Sequence, residues 1–186
     1  KTASGSSGIF ACANAKICDR AAFIGKIGQD HLSEFVYNIM KREGVDISRV
    51  VKSDDGQIGL SFLENLETGR NFQYYRSRSV GSTFGPKDID EEYIRKASAI
   101  HYSGMLLELS ESMREACQTC VKIAREAGVM VSFDPNIRKE VMKSDAAKQR
   151  LYEGIKNADV IAPTFEEAKF VTGLEDPLKI LEELHS

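Results

Sequence analysis

What most constrains this chain is the alternation in its second half, where segments of helical and strand character follow one another with short connections. Helical spacing of apolar residues covers 90–97, 110–127, 144–157 and 164–172, and short apolar runs cover 98–103, 129–133 and 159–162. A strand that returns parallel to its predecessor needs a crossover of about a dozen residues, usually a helix. The pattern therefore predicts a mostly parallel sheet with helices on its faces. The first part extends this rhythm. Residues 9–17 (IFACANAKI) suit a packed helix and 21–25 a short strand. A helix over 30–42 turns Leu32, Phe35, Val36, Ile39 and Met40 inward, with Gly44 beyond its end.

Between these parts the pattern changes period. Residues 57–64 alternate, with Ile58, Leu60 and Phe62 on one face, and 71–76 alternate again across the turn Glu67-Thr68-Gly69-Arg70. Such alternation across a polar turn predicts a hairpin. Two strands alone cannot bury a face, so residues 57–76 are expected to form a small lid projecting from the main sheet. The unpaired edges of an exposed ribbon invite strand addition, and a homodimer through the lid is expected.

Composition bounds the function. With 25 Lys+Arg against 28 Asp+Glu the net charge is −3, which excludes a generic basic nucleic-acid binder. At 186 residues and 42% hydrophobic, the chain is expected to form one domain with a buried core. No apolar run approaches the roughly 20 residues of a membrane span. No secretion signal is evident either, so a cytoplasmic location is expected. The start at Lys1 without Met, and a last amphipathic segment with no stop after it, lead us to expect a fragment.

Cys117 and Cys120 have the CxxC spacing of a metal site, but Met113, Ala116, Ile123 and Ala124 share their helical periodicity. They read as core-facing residues of one helix. Completing a zinc site with Cys12 and Cys18 would require two helices to converge. The three His residues are scattered singly.

In an open parallel sheet, ligands bind beyond the carboxyl ends of the strands. Four places qualify or flank that edge. Strand 129–133 runs into Asp134-Pro135-Asn136-Ile137-Arg138, an acid, an amide and a guanidinium together. Arg138 could hold a phosphate or carboxylate with two hydrogen bonds; alternatively Asp-Pro-Asn only makes a turn. Strand 159–162 runs into Pro163-Thr164-Phe165-Glu166-Glu167, where Thr164 and Glu167 have capping-box spacing. A carboxylate there could also hold Mg2+ through water. Ser4-Gly5-Ser6-Ser7-Gly8 precedes a helix and could approach an oxygen-rich ligand, although Ser/Gly runs also occur in linkers. In the lid, Phe72, Tyr74 and Arg76 share one face and Gln73 and Tyr75 the other, which suits either a polar ligand or cross-strand aromatic packing.

The whole chain resembles the PfkB (ribokinase-like) carbohydrate kinases. The residues that carry the resemblance are Ala22-Phe-Ile-Gly-Lys-Ile-Gly28-Gln-Asp30, Gly44-Val-Asp46, Gly59-Leu-Ser-Phe62, Tyr74-Tyr-Arg76, Asp134-Pro-Asn-Ile-Arg138 and Glu167-Ala-Lys-Phe-Val-Thr-Gly173. Tyr74-Tyr-Arg76, Gly81, Pro86-Lys-Asp-Ile89 and Asn136-Ile-Arg138 are most similar to 2-keto-3-deoxygluconate kinases, with ribokinase and fructokinase left open. The resemblance implies a three-layer α/β/α sandwich with a small β lid, here incomplete. It also implies transfer of the γ-phosphate of ATP, with Mg2+, to a hydroxyl of a sugar or sugar acid. Gly5, Ser6, Gly8, Tyr74, Arg76, Asn136 and Arg138 would contact substrate, Arg138 would also steady the transferred phosphate, and Thr164 and Glu167 would serve the nucleotide-metal side, Glu167 at the metal.

Three departures qualify this. Ile9 stands where the family has a sugar-binding Asn, and Thr164 stands where its magnesium motif begins with Asn. No Gly-Ala-Gly-Asp segment, the source of the family's catalytic base, occurs in these 186 residues, and the first strand and the nucleotide-binding part are expected to be missing. The resemblance therefore implies a polypeptide inactive alone, or a non-catalytic sugar-binding or assembly module on the same fold.

Overall fold

The computed structural model describes residues 2–18, 20–67, 69–138 and 144–185, and the side chains of residues 69 and 70 are not described. The chain divides into two compact units, Lys1–Ile89 and Asp90–Ser186.

The first unit begins with α1 (Ser6–Ile17), β1 (Gly25–Ile27), α2 (His31–Arg42) and β2 (Val50–Lys52). β1 and β2 pair in parallel, Gly25 opposite Val50 and Ile27 opposite Lys52. The strand expected at 21–25 thus lies further along the chain. Ala22 makes only an isolated bridge to Asp46, whereas Gly25 and Ile27 alternate inward. Likewise α1 starts at Ser6 rather than residue 9, because the small residues of the Ser/Gly run accept helical geometry. Ala11 on α1, Met40 on α2 and Val45 form a buried cluster flanked by Cys12, Phe23, Val36 and Ile47.

The lid strands β3 (Leu60–Leu66) and β4 (Gly69–Tyr75) pair antiparallel in unbroken register from Leu60 opposite Tyr75 to Leu66 opposite Gly69. They lie inside the expected 57–76, and the tip residue Thr68 is outside the described residues. Two short 3-10 turns follow at Val80–Thr83 and Pro86–Asp88. Beneath them Lys26 and Asp88 face each other at 4.0 Å, both largely shielded from solvent.

The second unit contains α3 (Glu91–Arg95), β5 (Ala99–Ser103), α4 (Gly104–Leu107), α5 (Glu111–Ala127), β6 (Met130–Asp134), α6 (Asp145–Lys156), β7 (Val160–Ile161), α7 (Phe165–Thr172) and α8 (Pro177–His185). Its sheet is parallel in the order β5-β6-β7, as the alternation predicts. The helix expected over 90–97 is shorter, and α4 is an added single turn.

Local chemistry accounts for most of these boundaries. The Ser110 hydroxyl accepts from the Met113 amide and starts α5, while Gly128 at φ 70° closes it in a conformation costly for other residues. Met113, Ala116, Cys117, Ile123 and Ala124 are buried on its inner face. The thiols stay free; burial pushes Cys117 up to about 12 and Cys120 to about 11. Phe133, fully buried near the end of β6, packs against the Tyr102 ring at 4.7 Å. A bidentate pair between Arg150 and Glu108, at 2.5 and 2.7 Å, ties α6 to the end of α4. Among the described residues no helix is long and apolar enough to cross a membrane.

Candidate functional site

In the second unit the three parallel strands end together. Ser103 pairs with Asp134, and Phe133 with Ile161, so the residues after β5, β6 and β7 form one rim. At the exit of β5, Gly104 fits because it has no side chain. A Cβ there would lie 2.3 Å from the Pro135 carbonyl oxygen and 2.5 Å from Leu151. Close approach of these two exits therefore requires glycine.

Beyond β6 the chain turns through Asn136, whose φ of 42° is unusual for a residue with a Cβ. Its neighbour holds it there. Asp134 accepts from the Asn136 amide at 3.0 Å and from Asn136 Nδ2 at 3.1 Å. The turn and the rim are thus the same feature: Asp134 and Asn136 spend hydrogen bonds on the bend that delivers Ile137 and Arg138. Arg138 is exposed.

The capping box at the start of α7 forms as expected, but it does more than cap. Glu167 Oε2 accepts from the Thr164 amide and from Thr164 Oγ1, both at 2.9 Å, and the Glu167 amide returns a bond to Thr164 Oγ1 at 3.3 Å. Its other oxygen, Oε1, accepts from the Ile137 amide at 2.7 Å. One carboxylate therefore clamps the exit of β6 to the helix that follows β7. The sequence places Asn136 and Arg138 in one motif and Thr164 and Glu167 in another; the fold joins them through Ile137, a backbone contact with no sequence signal.

One side of this sheet is polar. His101 lies opposite Ser132 and Ser103 opposite Asp134, and His101 Nδ1 sits 3.0 Å from Ser132 Oγ. Burial holds His101 below the ordinary imidazole value, partly offset by Asp134.

Candidate residues of the first unit group around the lid root and α1. Asp30 caps α2, accepting from the amides of Leu32 and Ser33 at 2.9 and 3.1 Å. Its second oxygen accepts from Ser33 Oγ at 2.6 Å and from the Ile58 amide at 3.2 Å, which fastens the lid's root to the helix. Burial opposes ionisation, but these four bonds prevail and hold its carboxyl below the usual range. Gly28 permits the junction: a Cβ there would lie 2.6 Å from the Gly56 carbonyl oxygen and 2.8 Å from Asp30. The start of the helix at Asp30 was legible, whereas the bond from Asp30 to Ile58, 28 residues away, was not.

On β4, Phe72 and Tyr74 stack at 6.0 Å and the residue beyond, Arg76, sits 5.3 Å from the Tyr74 ring centre. These three are half-buried, while Asn71, Gln73 and Tyr75 on the opposite face are exposed. Burial draws the Arg76 guanidinium below its usual value, with Tyr74 opposing; guanidinium remains charged at neutral pH. Cross-strand aromatic packing exists on the other face, where Phe62 and Tyr75 meet edge to face at 5.6 Å. The Gly5 to Gly8 stretch is not a loop throughout. Gly5 is the residue before α1, and Ser6, Ser7 and Gly8 form its first turn. Ser7 Oγ is buried there without a hydrogen-bond partner among the described residues.

A group of three or more His, Cys, Asp or Glu poised to ligate a metal directly does not occur among the described residues. Glu167 instead has one acceptor site left, on Oε1, beyond those its three donors use, with the Thr164 hydroxyl beside it. That donor set fits a hydrated magnesium ion held through water.

Comparison with known proteins gives concordant results. Residues 2–186 match the model of the pfkB family carbohydrate kinases. The chain is 33% identical over 177 residues to the probable fructokinase-5 of Arabidopsis thaliana, covering 92% of this chain and 53% of that protein. It is 30% identical over 180 residues to the 2-dehydro-3-deoxygluconokinase of Bacillus subtilis, covering 95% and 56%. A crystal structure of a PfkB protein from Polaromonas sp. JS666 superposes with a TM-score of 0.91 at 26% identity, covering 98% of this chain and 62% of that one. The chain thus spans about half the length of the curated relatives it matches.

Proposed function

This chain belongs to the pfkB family of carbohydrate kinases and has a ribokinase-like α/β fold, and we propose that it supplies the sugar lid and the phosphate-facing rim of an ATP-dependent kinase. The acceptor is a hydroxyl of a sugar or a 2-keto-3-deoxy sugar acid. The observation that carries this reading is the clamp from Glu167 to the Ile137 amide, which fixes the backbone immediately before the exposed guanidinium of Arg138.

Phosphoryl transfer depends on positioning and on neutralising negative charge. Arg138 presents a planar fork suited to a phosphate or a substrate carboxylate, and its anchored neighbour limits how far it wanders. Asn136 presents an amide at the same bend. Glu167 and Thr164 would hold a hydrated Mg2+, which would supply screening of the ATP phosphate charge. From the first unit, Tyr74 and Arg76 contact the sugar, and the α1 start, Gly5, Ser6 and Gly8, lines its pocket.

A second reading is that these residues form a non-catalytic sugar-binding module on the same fold. Titration calorimetry with fructose and 2-keto-3-deoxygluconate, with and without MgATP, together with an ADP-release assay, separates the two. We expect sugar or sugar-acid binding weakened about tenfold or more by Arg76→Ala and by Arg138→Ala, in line with loss of a charge-assisted bond. We also expect no turnover by residues 1–186 alone. Unchanged binding in either variant would refute that arginine's role, and robust phosphorylation would refute the inactivity of this polypeptide.

The outward lid face supports a homodimer: Leu60, Phe62 and Tyr75 are 39%, 60% and 58% exposed, side by side. Light scattering that gives a monomer mass at high concentration would overturn it. A small sugar as ligand and a cytoplasmic setting, with neither nucleic acid nor membrane as partner, complete the proposal.

A further inference from the structure

The second unit carries a groove that the rim does not use. It runs between α5 and α6 with a volume of about 360 Å³, enough for a small organic molecule. Leu107, Val121 and Gly154 line it with the Tyr102 hydroxyl. Tyr102 is only 8% exposed, and its hydroxyl reaches the Gly154 carbonyl at 3.5 Å, a bond too long to satisfy it fully. Position 154 cannot carry a side chain cheaply, since a Cβ there would lie 2.6 Å from the buried Phe133 ring, so glycine lets α6 sit close on β6.

The walls are cationic. Arg150 is paired with Glu108, and Glu126 shares Arg95 with Glu91, which lies closer to it, so Glu126 is only partly compensated. That leaves Arg114, Lys122 and Arg125 facing Glu153 and the partly compensated Glu126 among the described lining residues, still a cationic excess. The two arginines donate to backbone carbonyls, Arg114 to Leu107 at 3.1 Å and Arg125 across the groove to Asn157 at 3.1 Å. Carbonyls orient a guanidinium without cancelling its charge. Lys122 and Arg125, three apart on α5, sit on neighbouring turns about 5–6 Å apart at Cβ, close enough to share one phosphate.

From this combination we infer that the α5–α6 groove is a binding site for an organic phosphate monoester with a flat apolar body. Lys122 and Arg125 take the phosphate, the body lies over Val121 and Leu107 towards Arg114, and the Tyr102 hydroxyl meets a polar atom on the buried side. The inference is independent of the kinase reading, because none of these residues belongs to the rim or the lid.

The test is an amide-resolved NMR titration of the 186-residue chain at low salt with phenyl phosphate, inorganic phosphate and benzyl alcohol. Phenyl phosphate is expected to saturate with a Kd on the order of 1 mM, typical of so small a ligand, shifting amides of α5 and α6. Inorganic phosphate and benzyl alcohol are expected to bind about tenfold more weakly, each lacking half of the recognition. The double variant Lys122→Gln/Arg125→Gln should weaken phenyl phosphate about tenfold, and Gln118→Glu, which adds negative charge to the same wall without removing a contact, should also weaken it. Absence of a saturable shift by about 10 mM, roughly ten times that Kd, binding unaffected by both variants, or equal binding of benzyl alcohol would each overturn the proposal.

Discussion

Replacing Glu167 tests whether one carboxylate holds the rim together. In Glu167→Ala two kinds of contact disappear. The carboxylate half of the capping box at α7 goes, while Thr164 Oγ1 still accepts from the amide of residue 167; the lost half is worth about 0.5–1 kcal/mol. The bond from the partly buried Ile137 amide to a charged acceptor goes as well; such bonds contribute about 1.5–3 kcal/mol, and solvent access places this one at the low end. The sum is about 2–4 kcal/mol. For a chain of this length each kcal/mol moves the melting temperature by about 2–4 °C, so a fall on the order of 5–15 °C is expected. Glu167→Gln is the sharper variant. A carboxamide has one acceptor oxygen, so it can serve Ile137 or Thr164 but not both, and its NH2 then faces an N–H donor. It should recover less than half of the loss. Urea denaturation reads the stability, and hydrogen exchange at the Ile137 amide reads the bond itself. If Glu167→Ala shifts stability by less than about 0.5 kcal/mol, the scale of an ordinary surface substitution, and leaves Ile137 exchange unchanged, the clamp has no energetic reality.

Other consequences follow from single observations. Gly28→Ala should destabilise by about 1–3 kcal/mol, because its Cβ must displace backbone at Gly56 rather than a flexible side chain; an unchanged urea midpoint would contradict this. Asp30 has its folded-state pKa lowered, so its stabilising contribution is present above the unfolded value near 3.9 and is lost as pH falls through the lower folded value. Asp30→Asn, which still caps α2, should therefore flatten the dependence of stability on pH below about 4, and an identical acid limb would refute that. Thiol labelling at pH 8 should proceed at exposed Cys18, more slowly at half-buried Cys12, and at Cys117 only on unfolding, since burial keeps that thiol protonated; fast labelling of Cys117 in the folded chain would contradict the packing of α5.

How legible each feature was depends on the range of the interaction behind it. The helix read over 110–127 is α5 at Glu111–Ala127, because its Ser110 cap, its Gly128 stop and its apolar stripe are all local. Thr164 and Glu167 were legible as a capping box for the same reason. The strand read over 21–25 is β1 at Gly25–Ile27, since a short strand's limits are set by its partner, here Val50–Lys52, and not by its own residues. The single turn α4 is too brief to show a period.

Periodicity, caps and turn residues, all properties of neighbours along the chain, determined the order of elements, the parallel sheet, the lid and the family resemblance. Tertiary structure alone decided what those elements hold together: the Ile137 amide on Glu167, the Ile58 amide on Asp30, and the bare positions at Gly28, Gly104 and Gly154. The reason is physical. A backbone amide carries no identity in the sequence, and the space a glycine leaves matters only to what approaches it from elsewhere in the fold.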